Sequence, residues 1–118
     1  MKHILIVDDN KANLTAARAS LCDIYKVTAV TSGAQALRFL EKNTCGLILL
    51  DINMPEVDGF EVMKKIRASE GCSEIPIIFL TADGAPETER RCFEAGAAGF
   101  ITKPFTAPDL RSRINELL

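Results

Sequence analysis

Residues 47–59 read Leu-Ile-Leu-Leu-Asp-Ile-Asn-Met-Pro-Glu-Val-Asp-Gly. Four consecutive apolar residues, Leu47 to Leu50, offer no face to water, as expected of a strand covered by helices on both sides. The run breaks at Asp51, and Pro55 and Gly59 fix the loop that follows. Two further runs of the same kind, Ile4 to Val7 and Ile77 to Leu80, also stop at polar residues, Asp8-Asp9 and Thr81. Between such runs apolar residues recur every three or four positions, as in Leu14, Ala17 and Leu21 or Leu110, Ile114 and Leu117, the spacing of a helix with one buried stripe. Ser32, followed three positions later by Gln35, matches a capping box and starts a second helix. Val62, Met63 and Ile66 mark a third, and Cys92 with Phe93 a fourth. Lys26 to Thr31, rich in β-branched residues, is predicted as a strand nearer an edge, and Ala98 to Thr102 as a fifth strand. Pro76 opens the Ile77 strand, where a missing N–H is tolerated. The alternation defines an α/β chain with a doubly wound, five-stranded parallel sheet.

The 118 residues fit one domain, 1–118, with no linker, repeat or low-complexity segment. A composition 47% hydrophobic and 25% charged supplies a core and excludes disorder. Fourteen basic against sixteen acidic residues, without a basic run, argue against direct nucleic-acid binding. The apolar runs are far shorter than the roughly 20 residues of a membrane span, and Asp8-Asp9 cuts the first too soon for a signal-peptide core. No membrane association and a cytoplasmic address are therefore expected. Cys22, Cys45, Cys72 and Cys92 form no C-x-x-C pair, so they are expected to be inert thiols, and the single histidine, His3, to be structural.

The strand ends carry the chemistry. Asp8, Asp9, Asp51, Thr81 and Lys103 all fall at the carboxyl ends of predicted parallel strands, which is the edge where ligands bind in such sheets. Carboxylates brought together repel one another unless a cation lies among them, and magnesium suits an all-oxygen site completed by phosphate. Lys103 adds a compact positive charge and Thr81 a hydroxyl, both suited to phosphoryl oxygens. Phosphoryl transfer asks mainly for positioning and charge neutralisation, so a carboxylate can serve as nucleophile. Asp51, leaving a central buried strand, is the best placed.

Over essentially its full length the chain resembles response-regulator receiver domains, the CheY-like superfamily. Ile-Val-Asp8-Asp9 resembles their acid pair, and Leu-Leu-Asp51 with Met54-Pro55 and Asp58-Gly59 their phosphoacceptor loop. Leu80-Thr81-Ala82 resembles their hydroxyl site, and Lys103-Pro104-Phe105 their lysine turn. The resemblance implies strand order 2-1-3-4-5 in a flavodoxin-like (βα)5 three-layer sandwich. It implies phosphorylation of Asp51, with magnesium held by Asp9, Asp51 and the backbone carbonyl of Asn53, and with Asp8 acting through water; Mn2+ or Ca2+ is an alternative ion. Thr81 and Lys103 would contact the phosphoryl group, with Ala82 kept small and the Lys103-Pro104 bond cis. Phe100 would be the aromatic switch residue, turning inward as Thr81 moves. By the same resemblance, Asp83 and Glu56 would occupy variable positions that tune phosphate lifetime. The donor would be a sensor histidine kinase or a histidine phosphotransfer protein. The domain would catalyse only its own phosphorylation and slow dephosphorylation, and would not be an enzyme otherwise. Its partners would be switched through the fourth helix, fifth strand and fifth helix, with a phosphorylation-dependent homodimer among them.

Simpler and rival readings stand beside this. An acid pair can be a solvated loop, Lys-Pro a turn, Thr81 the N-cap of the next helix, Phe100 a core residue, and Arg90-Arg91 an ordinary solvated helix face rather than a partner surface. A haloacid-dehalogenase-like phosphohydrolase needs its nucleophile after the first strand and an aspartate two positions on, where this chain has Asn53 after the third. A binder of flavin mononucleotide needs Gly, Ser or Thr where Asp8-Asp9 would repel its phosphate. A receiver that has lost phosphorylation is opposed by Asp51, Thr81 and Lys103 all being present.

Overall fold

The computed structural model describes residues 2–54 and 57–118. Its elements alternate as β1 (His3–Val7), α1 (Lys11–Leu21), β2 (Lys26–Val30), α2 (Gly33–Lys42), β3 (Leu47–Asp51), α3 (Gly59–Ala68), β4 (Ile77–Thr81), α4 (Pro86–Glu94), β5 (Gly99–Thr102) and α5 (Ala107–Leu117). The strands form one parallel sheet in the order β2-β1-β3-β4-β5. Every apolar strand predicted from the sequence is present. The second ends at Val30, and β3 and β4 each run one residue further, taking in Asp51 and Thr81.

Both faces of the sheet are covered. Alternate residues of the central strands point to opposite sides, as the pleat requires. Leu5, Val7, Ile48, Leu50, Ile77 and Phe79 pack with Ala36 and Leu40 of α2, Val62, Met63 and Ile66 of α3, and Cys92 of α4. Ile4, Ile6, Leu47, Leu49, Ile78 and Leu80 pack with Leu14, Ala17 and Leu21 of α1 and with Leu110 and Ile114 of α5. Burying one such aliphatic side chain contributes about 2 kcal/mol, so the paired faces provide the bulk of the driving force. This is the doubly wound three-layer arrangement expected.

Local chemistry sets the helix starts. Side-chain oxygens of Asn10, Ser32, Asp58 and Thr106 accept from the N–H three residues on and cap α1, α2, α3 and α5. Ser32 does cap α2, but Gln35 reaches back to the N–H of Thr31 (2.8 Å), one residue earlier than a capping box would have it. Helix α4 differs: Ala85 stands at its N-cap without a side-chain bond and Pro86 follows, so Thr81 is not its cap.

Two apolar assignments need correction. Phe93 and Leu117 are exposed, because each lies off the buried stripe of its helix, which in α4 is Cys92 alone. His3 is structural as expected, its Nε2 lying 2.7 Å from the Thr28 hydroxyl and its ring edge-on to Phe39. Cys45, Cys72 and Cys92 are buried, and burial pushes the Cys45 thiol up to about 11, which suits an inert group; Cys22 is at the surface. Among the described residues no helix is long and apolar enough to cross a membrane.

Candidate functional site

The parallel sheet carries Asp8, Asp51, Thr81 and Lys103 to a single edge. β1 ends at Val7 and the chain turns at once, with Asp8 Oδ1 accepting the N–H of Asn10 (2.9 Å). β3 ends on Asp51, whose neighbour across the ladder is Leu80, so Thr81 stands one step further on the adjacent strand. The Lys103 N–H donates to the Thr81 carbonyl (2.7 Å), which fixes the start of the turn after β5. The Lys103-Pro104 peptide is cis.

The loop after Asp51 is held against the strand that delivers it. Gly59 donates its N–H to the Ile52 carbonyl (2.7 Å), and a Cβ at Gly59 would lie 2.4 Å from the Asp51 carbonyl oxygen. Only glycine permits that approach. Asp58 then caps α3, with its side chain accepting from Glu61. Met54 and Val57 lean on the core from either side of the undescribed pair. Pro55 and Glu56, singled out from the sequence, lie outside the described residues.

The carboxylates of Asp8, Asp9 and Asp51 each present an oxygen within 4.8 Å of the others. Asp8 and Asp51 are buried and Asp9 is open to solvent. The Lys103 ammonium lies between the two buried acids, 2.9 Å from Asp8 Oδ2 and 3.0 Å from Asp51 Oδ1. Asp51 Oδ1 also accepts the Asn53 N–H (3.3 Å), which places Asn53 beside the cluster. Burial pushes the Asp51 carboxyl up to about 6; hydrogen bonding to Lys103 opposes that rise, and the charge of Asp8 adds to it. Burial alone would lower the Lys103 ammonium, but its bonds and charge contacts with Asp8 and Asp51 outweigh this and raise it.

Three carboxylates against one ammonium leave an excess of negative charge in a largely buried place. Asp8 Oδ2 is wholly buried and, among the described residues, has no aligned hydrogen bond beyond its ion contact with Lys103. A buried carboxylate oxygen whose one partner is a shared ammonium, beside two further carboxylates, fits a hard divalent cation, and the all-oxygen donor set suits magnesium.

Thr81 is fully buried, and its hydroxyl oxygen accepts the N–H of Asp83 (3.0 Å). Ala82 is exposed beside it. Phe100 lies across the ladder from Phe79, half-buried against the core. Two features escaped the sequence reading. The Asp83 carboxylate is bound to Ala85 N–H (2.9 Å) and to the Thr88 hydroxyl (2.8 Å). Arg90 and Arg91 are both exposed, as a solvated helix face would have them, with Arg90 paired with Glu94 at 3.8 Å, but the Arg91 guanidinium also sits 4.4 Å from the centre of the Phe60 ring. An Asp two residues before the N-cap of a helix that lacks its own side-chain cap was the available signal for the first; nothing local signals the second.

The family model of the response regulator receiver domain matches residues 4–115. The chain belongs to that family. It is 41% identical over 112 residues to a probable cyclic di-GMP phosphodiesterase of Vibrio cholerae, a match covering 95% of this chain and 25% of that protein. It is 34% identical to the two-component response regulator ORR3 of Oryza sativa, covering 98% of this chain and 90% of that one. The chain thus spans about a quarter of the first relative and nearly all of the second. Among solved structures, Vibrio cholerae chemotaxis protein CheY4 superposes with a TM-score of 0.95 at 31% identity, covering 100% of this chain and 99% of that one. The receiver domain of a sensor histidine kinase from Pseudomonas aeruginosa, crystallised with magnesium coordinated in its active site cleft, superposes with a TM-score of 0.89 at 35% identity, covering 98% and 96%. The chain is a receiver domain of two-component phosphorelay signalling.

Proposed function

We propose that this receiver takes a phosphoryl group onto Asp51 in a magnesium-dependent reaction. The observation that carries the reading is the position of the Asp51 carboxylate: at the end of the central strand, 3.0 Å from the Lys103 ammonium and within 4.8 Å of the carboxylate oxygens of Asp8 and Asp9. Asp9, Asp51 and the Asn53 carbonyl would hold the metal, and Asp8 would support it through water. When bound, magnesium neutralises the carboxylates and the oxygens of the transferring group, with Mn2+ or Ca2+ as alternatives. The magnesium named in the Pseudomonas relative's cleft supports that choice of ion.

The chain's own residues do the rest. Oδ1 of Asp51 is engaged by Lys103 and Asn53, so Oδ2 is assigned as the nucleophile. It attacks phosphorus as the phosphorus–nitrogen bond of a phosphohistidine breaks; an acyl phosphate forms and the imidazole leaves as a neutral ring after taking a proton. The donor is a sensor histidine kinase or a histidine phosphotransfer protein. Lys103 stays paired with Asp51 and screens the incoming charge, and the Thr81 hydroxyl donates to a phosphoryl oxygen. Drawing Thr81 toward that oxygen shifts the β4–α4 loop and, with Phe100, re-forms the surface of α4, β5 and α5 that faces downstream partners or a second copy.

Incubation with acetyl phosphate and magnesium is expected to add one phosphoryl group per chain, read by intact mass, as an acid-stable and base-labile species. Asp51→Asn abolishes it. An unchanged yield in that variant refutes the assignment. Lys103→Ala is expected to impair switching more than acceptance, so normal partner affinity after phosphorylation of that variant counts against its role.

A further inference from the structure

Among the described residues, helix α4 is the one helix whose first turn is not capped by its own N-cap side chain. Asp83, upstream of the helix, reaches its start instead. One carboxylate oxygen, Oδ1, takes the Ala85 N–H at 2.9 Å, and the other, Oδ2, takes the Thr88 hydroxyl at 2.8 Å, five residues on and inside the helix. The backbone N–H of the same residue donates to the Thr81 hydroxyl oxygen at 3.0 Å. Asp83 therefore has its backbone on a strand-end residue and its side chain on the helix that follows. The two bonds to its carboxylate hold that group below the usual carboxylate range.

The helix thus gripped has little else to fix it. Among the residues of α4 only Cys92 is buried, and near its far end Arg91 lies over Phe60. An element with few buried contacts moves at small free-energy cost, so two or three polar bonds at one end are a large share of what sets its position.

We propose that Asp83 is a positioning residue that couples Thr81 to α4, its carboxylate holding the first turn of the helix in the unphosphorylated arrangement. This rests on the reading of Thr81 as the group drawn toward the phosphoryl oxygen. As Thr81 turns, its hydroxyl oxygen leaves the Asp83 N–H, the loop from Thr81 to Ala85 shifts, and the Thr88 bond is released. Because coupling is reciprocal, removing the latch favours the arrangement that binds the phosphoryl group.

The test uses the full chain with magnesium and beryllofluoride as the phosphoryl mimic. Mimic affinity is read by calorimetry and amide hydrogen exchange is followed across α4. In the unmodified chain, beryllofluoride is expected to speed exchange in the first turn of α4. Thr88→Val, which keeps the side-chain shape, and Asp83→Ala should exchange faster without the mimic and change little when it is added. Both should bind beryllofluoride about 5-fold or more tightly, the usual lower range of an allosteric coupling. A residue that only supports the fold would leave that affinity unchanged or weaken it. Wild-type affinity in both variants, with the α4 response to the mimic intact, overturns the proposal while leaving the Thr81 reading in place. An unmodified chain that binds no beryllofluoride overturns the site reading itself, and the proposal with it.

Discussion

The α1–α5 flank and the α4 flank of the same sheet are fastened differently. α1 buries Leu14, Ala17 and Leu21, and α5 buries Leu110 and Ile114. The seam between them is closed by the Tyr25 hydroxyl donating to Asn115, by Arg111 Nε donating to the Ser20 carbonyl at 2.7 Å, and by an Arg111–Asp23 pair at 3.5 Å. α4 buries Cys92 alone and is otherwise held by Asp83 and by Arg91 over Phe60. One flank is a frame and the other is a lever. On the proposed function, a chemical event at the strand ends would be expressed first through α4, the less firmly fastened of the two flanks.

That contrast can be broken most severely from the frame. Leu110→Ala removes a fully buried side chain of α5 and is expected to cost about 3 kcal/mol of unfolding free energy, measured by urea denaturation. Cys92→Ala, at the one buried position of α4, should cost about 1 kcal/mol. Equal losses at the two positions would remove the distinction between frame and lever.

Next in size is the charge stored at the strand ends. The Asp51 carboxyl is raised in the fold from 3.8 to about 6, so the fold favours its protonated form. The stability tied to it is fully present below about pH 4 and is lost as pH rises through about 6. Without a divalent ion the chain should therefore be less stable at pH 7 than at pH 4, by on the order of 2 kcal/mol from this group. The raised Lys103 ammonium does not interfere, since its contribution is present throughout this range and fades only in strong base. Adding magnesium at pH 7 should recover stability, by about 2.7 kcal/mol at a hundred times its dissociation constant. A stability that rises steadily from pH 4 to 7, and is indifferent to magnesium, would show that the acids are not crowded.

The smallest effects sharpen the comparison. Tyr25→Phe deletes one hydrogen bond of the α1–α5 seam and should cost about 1 kcal/mol. Arg91→Ala should cost less than about 1 kcal/mol, since its contact with Phe60 is at an exposed position, yet it should loosen α4 in hydrogen exchange while Tyr25→Phe does not.

The frame was the more legible half in the sequence, for the same physical reason that makes it a frame. Strands covered on both faces appear as unbroken apolar runs, and helices that bury a stripe show it in their spacing, so β1, β3, β4, α1 and most of α5 could be read directly. The polar residues that end those runs could be read too, and the fold gathers Asp8, Asp9, Asp51 and Lys103 into one cluster with Thr81 on the adjoining strand. α4 was poorly legible because one buried residue makes no stripe; Phe93, which with Cys92 marks this helix in the sequence, is exposed. The Asp83–Thr88 bond spans a loop and a helix start, outside any helical period. The contact between Arg91 and Phe60 joins helices thirty-one positions apart that share no local pattern.

The central claim is that the Asp51 carboxylate is held in a crowded, partly neutralised site that a divalent cation completes. Carbon-13 NMR titration of the Asp51 carboxyl in the full chain reads this directly, with and without magnesium. The expected midpoint is about 6 without the ion, against an ordinary 3.8, and well below that value once magnesium is present. A midpoint near the ordinary carboxylate value, unmoved by magnesium, would contradict the account.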